Sequence, residues 1–296
     1  MKFTSVHAVA LILAASSLTL TSAALAAKKP VQPTPAAPPV STTPTAADFR
    51  AVDPDNMLVV DTNKGRIIVE LYPWAAPNHV AQIKTLAKQH FYDGLTFFRV
   101  IDDFMDQTGD PTNKGDGDSK LPNLKAEFSF RRGADLPFVP IAKPDDGVVG
   151  FIGALPVTGQ PDDLMAMTAD NKVTAWPLYC SGVMGMARTG DPDSANSQFF
   201  FMRGPYPSLE KKYTAWGRVI VGEDVVRSIK LGEPPADPQD KMLTVRLGSD
   251  MPPADRPKVY VLDTRTPVFK AIVDKARADK GADLSACDID IPGQVR

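Results

Sequence analysis

Two short apolar runs, LVVDT and RIIVELYP, lie on either side of Asn63-Lys64-Gly65 and read as paired strands joined by a tight turn. Pro77 then opens NHVAQIKTLAKQHFYDG, where Val80, Ile83, Leu86 and Ala87 recur at helical spacing and form one apolar stripe. Gly94 marks the expected stop of this helix. More strands are expected in TFFRVI, FMDQTG, SQFFFM, TAWGRVIVG and MLTVRL. A short helix, EDVVRSIKLG, follows Gly222 with acids in its first turn, where a helix N-terminus favours them. Alternation along TFFRVI sets Phe97, Arg99 and Ile101 on one face and Phe98 and Val100 on the other. Met105 and Gln107 share a face of FMDQTG, and Asp106 faces away from them. Many strands and two short helices within residues 55–248 predict a closed or partly closed sheet; periodicity alone leaves barrel and sandwich both open.

Two regions extend this plan. The Pro- and Gly-punctuated segment 131–180 is too long for a simple loop and is expected to pack over the body or cover part of a groove. A C-terminal extension, residues 249–296, carries KVYVLD and a helix candidate beginning at Thr266-Pro267, with Val268, Ile272, Val273 and Ala276 as its apolar side. At the other end, residues 1–26 hold one charged side chain, Lys2, then an apolar run ending in Ala24-Leu25-Ala26, the form of a cleavable secretory signal. Left uncleaved, that run is long enough to touch or anchor in a membrane. Residues 27–54 read as a proline-rich linker, with six prolines and no charge between positions 30 and 47. A periplasmic or otherwise secreted location follows from the signal. In such a compartment Cys180 and Cys287 form one disulfide or remain two separate buried thiols; their spacing leaves both open.

The 296 residues carry 33 Lys and Arg against 35 Asp and Glu, and the net charge of -2 gives no basic face for nucleic acid. A hydrophobic content of 43% supports a sizeable core and excludes wholesale disorder. Histidine occurs only at positions 7, 79 and 90, so neither a zinc hydrolase nor a Ser-His-Asp triad is expected. His79 and His90 read as helix-surface or helix-end residues. Asp110, Asn113, Asp116 and Asp118 resemble a calcium loop at first sight, but Lys114 intrudes and the glutamate of the twelfth position is missing. No metal or cofactor is expected. Arg99 is a lone cation among apolar residues, and burying it unpaired would be costly, which places it at a groove surface. With Met105, Gln107, Met186, Ala187, Gln198 and Phe200 it can form an apolar pocket flanked by amides.

Three stretches, YDGLTFFRVIDDFMDQTGDPTNKGDG, GMARTGDPDSANSQFFFM and the more divergent LEKKYTAWGRVIVGEDVV, resemble in order the cyclophilin-type peptidyl-prolyl cis-trans isomerases, particularly the exported bacterial kind. The resemblance implies a mainly β fold: an eight-stranded antiparallel β-barrel capped by two helices, here with a long insertion and a C-terminal extension. It makes Arg99 the catalytic arginine with Gln107 beside it. Phe104, Met105, Phe200 and Leu209 match the pocket for the substrate proline, while Met186, Ala187, Arg188 and Gln198 fall along the peptide groove. Tyr213 replaces a histidine common in eukaryotic members, and Ser208 stands where a tryptophan contacts cyclosporin. The implied activity is faster rotation about X-Pro bonds in exported polypeptides, with proline-containing unfolded or flexible chains as partners. The alternative is a noncatalytic cyclophilin-like peptide-binding or chaperone module, which an insertion obstructing the groove would favour.

Overall fold

A computed structural model describes residues 41–144 and 147–296; the expected signal and the first half of the linker lie outside them. Eight strands make one antiparallel sheet: β1 (Met57–Thr62), β2 (Gly65–Leu71), β3 (Arg99–Ile101), β4 (Met105–Thr108), β5 (Val183–Met186), β6 (Phe199–Met202), β7 (Ala215–Val221) and β8 (Met242–Leu247). Their order is β8-β1-β2-β7-β5-β6-β4-β3. The sheet closes on itself just before β3, where Phe97 donates to the Asp240 carbonyl at 2.9 Å and Met242 donates to that of Leu95 at 2.9 Å. Barrel, not sandwich, is therefore the outcome.

Side chains pointing into the barrel form its core: Leu58 and Val60 from β1, Ile67 and Val69 from β2, Phe199 and Phe201 from β6, and Trp216 from β7. Helix α1 (Pro77–Lys88) adds Val80, Ile83, Leu86 and Ala87 to the same cluster, as its stripe predicts. Its N-cap, Ala76, has no capping side chain. The Glu127 carboxylate serves instead, accepting from the amides of Asn78 and His79, both at 3.1 Å. His79 is consequently fully buried, with Nδ1 2.6 Å from Glu127, and is not on the helix surface. The helix ends before Gly94, its chain turning out through His90 at φ 56.

The opposite face of β1 and β2 is buried as well. Met57, Val59 and Ile68 point outward into a second cluster containing Ile141, Phe151, Val261 and Phe269. That cover comes from the two additions. The insertion contributes nearly all of a five-stranded sheet with the order 130–132, 173–177, 155–159, 148–152, 138–142. Pro140 sits on its edge strand and Pro177 at a strand end, positions where a missing amide donor does least harm. The C-terminal extension supplies Val259–Leu262 and Gly293–Val295, which pair in a three-stranded sheet with Phe49–Ala51. The strand Phe49–Ala51 lies inside the stretch read as linker, because the apolar Phe49 and Val52 find partners in the extension.

Helix α2 (Glu223–Ser228) follows Gly222, whose φ of 89 and close approach to the Arg66 backbone admit no side chain. Helix α3 (Pro267–Lys280) is capped by Thr266, which accepts from the Phe269 amide at 3.2 Å. It buries Phe269 along with Val268 and Val273, and the Phe269 ring meets Phe151 at 5.6 Å. A disulfide joins Cys180 to Cys287 across 107 residues, with their Cα atoms 5.0 Å apart. It ties the end of the insertion to the tail. Replacing both cysteines with Ser is expected to lower unfolding free energy by about 2–5 kcal/mol, as for other long-loop cross-links. Urea denaturation checks this; matching midpoints for variant and oxidised wild type would contradict it.

Candidate functional site

Strand register sets the site. Arg99 on β3 is paired with Gln107 on β4, Gln107 with Phe200 on β6, and Phe200 with Gly185 on β5. Residues paired in this way share a face, so the row lies on the outside of the barrel. A neighbouring outer row holds Ile101, Met105 and Met202, and between the two an inward row holds Val100, Asp106 and Phe201. Phe97 departs from the expected alternation: it belongs to the interior core, 6.0 Å from the Phe201 ring. Residues 97 and 98 leave strand geometry to close the barrel seam, and it is Phe98 that flanks Arg99.

Phe104, at the turn from β3 to β4, stacks on Tyr206 with ring centres 4.4 Å apart. The Arg99 guanidinium lies 5.9 Å from the same ring. Met105, Phe200 and Leu209 are buried in one apolar cluster with Phe104, Ala187 and Tyr213 at its margin. Tyr179 backs Phe200 at 6.1 Å, and Tyr213 meets it edge-on at 6.1 Å. A Cβ at Gly185 would overlap the Phe200 ring, so glycine here is what lets that ring lie flat on β5. Met186 is not part of the groove. It pairs with Phe199 and sits inside the barrel core.

Amide groups line the other side. Gln107 donates to Gln198 Oε1 at 3.0 Å, Gln198 donates to the Gly117 carbonyl at 2.8 Å, and the Ala187 amide donates to the Gln198 backbone at 2.9 Å. Arg188 folds over Tyr213, 4.5 Å from its ring, and donates to the Lys212 carbonyl at 2.9 Å, so its side chain forms rim. Gln107 separates two hollows. One, of about 540 Å³, contains Phe98, Arg99, Lys114, Glu233 and Gln239; the other, of about 120 Å³, contains Asp118, Ala187, Arg188, Ser194 and Gln198. Arg99 donates through Nε to Glu233 at 2.7 Å, and its side chain is 39% exposed. The insertion borders this groove without roofing Arg99, placing Tyr179 behind Phe200 and Trp176 under Lys211 at 3.6 Å. A separate cavity of about 360 Å³ beside the Arg50–Glu70 pair shares no lining residue with it.

The calcium-like loop has a structural task. The Asp110 carboxylate accepts from the amides of Thr112 at 2.7 Å, Lys114 at 2.9 Å and Asp116 at 3.1 Å, and from Gly115, which pins the loop beside Gln198. Desolvation raises the Asp110 carboxyl, but those bonds outweigh it and hold the group below its ordinary value. Among the described residues, no group of three His, Cys, Asp or Glu side chains is placed to hold a metal ion.

Residues 57–247 match the family described as cyclophilin type peptidyl-prolyl cis-trans isomerase/CLD. The chain belongs to this family. It is similar to the cyclophilin AquaCyp293 from Hirschia baltica, whose crystal structure superposes with a TM-score of 0.76 at 36% identity, covering 83% of this chain and 93% of that one. A probable peptidyl-prolyl cis-trans isomerase of Brucella suis is 35% identical over 193 residues, covering 62% of this chain and 75% of its own length. The peptidyl-prolyl cis-trans isomerase-like 1 of Neurospora crassa is 32% identical, covering 63% and 87%.

Three residues of this cyclophilin-type site escape strand periodicity. Glu233 and Tyr206 reach it from distant loops, with no local signal. Arg203 was detectable in principle, because an inward Asp106 demands a buried cation. Arg203 meets Asp106 at 3.0 Å and also donates to the carbonyls of Arg227 at 2.8 Å and Val226 at 3.2 Å, closing the C-terminal end of α2. Burial pushes the Asp106 carboxyl up to about 7, with Arg203 pulling the other way. The native state therefore keeps a proton that the unfolded chain has lost, so this group's stabilisation falls as pH rises from about 4 to about 7. Urea unfolding across that range should show the stability of wild type relative to Asp106→Asn falling as pH rises; parallel curves would refute the assignment. Gly185→Ala should displace Phe200 and lower kcat/KM by about 10- to 100-fold, the effect of misplacing a binding wall by about an ångström. Steady-state kinetics indistinguishable from wild type would show that Phe200 need not lie where it does.

Proposed function

We propose that this cyclophilin-type protein accelerates rotation about X-Pro bonds in exported polypeptides, with Arg99 as the catalytic residue. Amide resonance sets a barrier of about 18–20 kcal/mol, and the uncatalysed event takes about tens to hundreds of seconds. Rotation breaks no covalent bond, so the reaction needs no nucleophile. As the bond twists, conjugation is lost and the prolyl nitrogen gains a lone pair able to accept a hydrogen bond. A guanidinium that donates to it only in the twisted state binds the transition state better than either ground state. Phe104, Met105, Phe200 and Leu209 provide the wall for the ring, and Gln107 with its Gln198 partner provides polar contacts for the flanking peptide.

The observation that carries this reading is the outer row itself, in which Arg99 stands beside Gln107 and Phe200 with its terminal nitrogens free of any described acceptor. Export is supported by the signal pattern of residues 1–26, and the Cys180–Cys287 disulfide suits an oxidising compartment. A peptide-binding module without turnover is the competing reading, favoured by the Glu233 carboxylate already engaging Arg99. Exchange NMR on a short Ala-Pro-containing peptide separates the two: catalysed isomer exchange selects the enzyme, whereas binding without exchange selects the module. Arg99→Ala is expected to lower the catalysed exchange rate by about 100-fold or more, the usual cost of removing one preorganised donor. Its thermal unfolding should stay close to wild type, because the side chain is largely outside the core.

A further inference from the structure

We propose that Glu233 is a positioning residue for Arg99, fixing the guanidinium plane before substrate arrives; the proposal rests on the isomerase reading above. Glu233 Oε2 accepts a hydrogen bond from the Arg99 Nε–H at 2.7 Å, and among the described residues no group accepts from either terminal nitrogen of Arg99. A bond to Nε alone fixes the plane and leaves the terminal edge of the fork to donate elsewhere. The loop that carries Glu233 is braced at two places. The neighbouring Gly232 exchanges two backbone hydrogen bonds with Val100, at 2.8 and 2.9 Å, so the loop is bound to the strand that carries Arg99. Farther along, Lys230 Nζ donates to the carbonyls of Ala236 at 3.1 Å and Pro238 at 2.9 Å, bracing the loop from within.

Arginine is flexible, and a free side chain would have to be ordered during each turnover; an Nε anchor settles that cost beforehand. The same carboxylate opposes the positive field that the prolyl nitrogen meets. With both side chains about half exposed, at 39% and 51%, solvent screens that opposition and orientation dominates.

The test compares Glu233→Ala and Glu233→Gln with wild type, using a succinyl-Ala-Ala-Pro-Phe anilide for kinetics and the Arg99 Nε–H resonance for orientation. Glu233→Ala should lower kcat about tenfold with KM nearly unchanged, and its Nε–H should exchange faster with solvent. Glu233→Gln retains an acceptor for Nε without the charge and should restore most of kcat and of the protection. An Ala variant with wild-type kcat, a loss confined to KM, or a Gln variant as slow as Ala would each overturn the positioning role. Wild-type protein that fails to catalyse exchange would overturn the isomerase reading, and this proposal with it. Circular dichroism melts identify any variant that has lost its fold, in which case Glu233→Asp replaces it in the comparison.

Discussion

Because neighbouring side chains on a strand point to opposite faces, a slip of one residue between β3 and β6 would turn Arg99, Gln107 and Phe200 into the barrel and expel Asp106 into the groove. The cost of that error is what holds the site together. Arg99 would enter an apolar interior without a partner, while Asp106 would leave the buried cation made for it. In the observed register Asp106 meets Arg203, and Arg203 also takes the last carbonyls of α2. One guanidinium thereby links the β4–β6 alignment to the position of a helix. The outer row that carries Arg99, Gln107 and Phe200 is set by the inner row beside it.

The second constraint is that this barrel has little free outer surface around β1 and β2. Both faces of these strands are apolar, and the additions to the chain cover the outward one. The insertion does more than shield. Leu155, Val157, Ala175 and Tyr179 join the cluster that contains Met105, Phe200 and Leu209, so part of the wall behind Phe200 lies outside the barrel strands. The disulfide holds the end of that layer to the C-terminal extension. What looked capable of closing the groove instead backs it and leaves Arg99 in contact with solvent.

The proposed isomerase reaction asks for little: a ring wall, a donor aimed at one nitrogen, and enough rigidity that aiming costs nothing at the moment of twisting. Phe104 shows how these needs interlock, since its ring is stacked on Tyr206 and faces the Arg99 guanidinium. The pocket wall and the donor therefore share a side chain. Exposed ion pairs contribute little stability, so the value proposed for the Arg99–Glu233 contact is geometric.

Local periodicity was enough to show the separation of Met105 and Gln107 from Asp106, because β4 is a regular strand, and to show the stripe of α1 and the start of α3. It failed at Phe97 because residues 97 and 98 abandon strand geometry to close the seam with Asp240 and Met242. It failed at Met186, which borders the groove in sequence but turns inward beside Phe199. The insertion concealed its strands behind Pro140, Pro156 and Pro177, which lower any strand expectation read from the chain alone. Arg99 and Glu233 are 134 residues apart, and nothing near either one names the other. Which face a residue takes is a property of its own strand and can be read from the chain. Which charge or ring it then meets depends on how distant segments close around the barrel, and that is settled by burial shared across the whole fold.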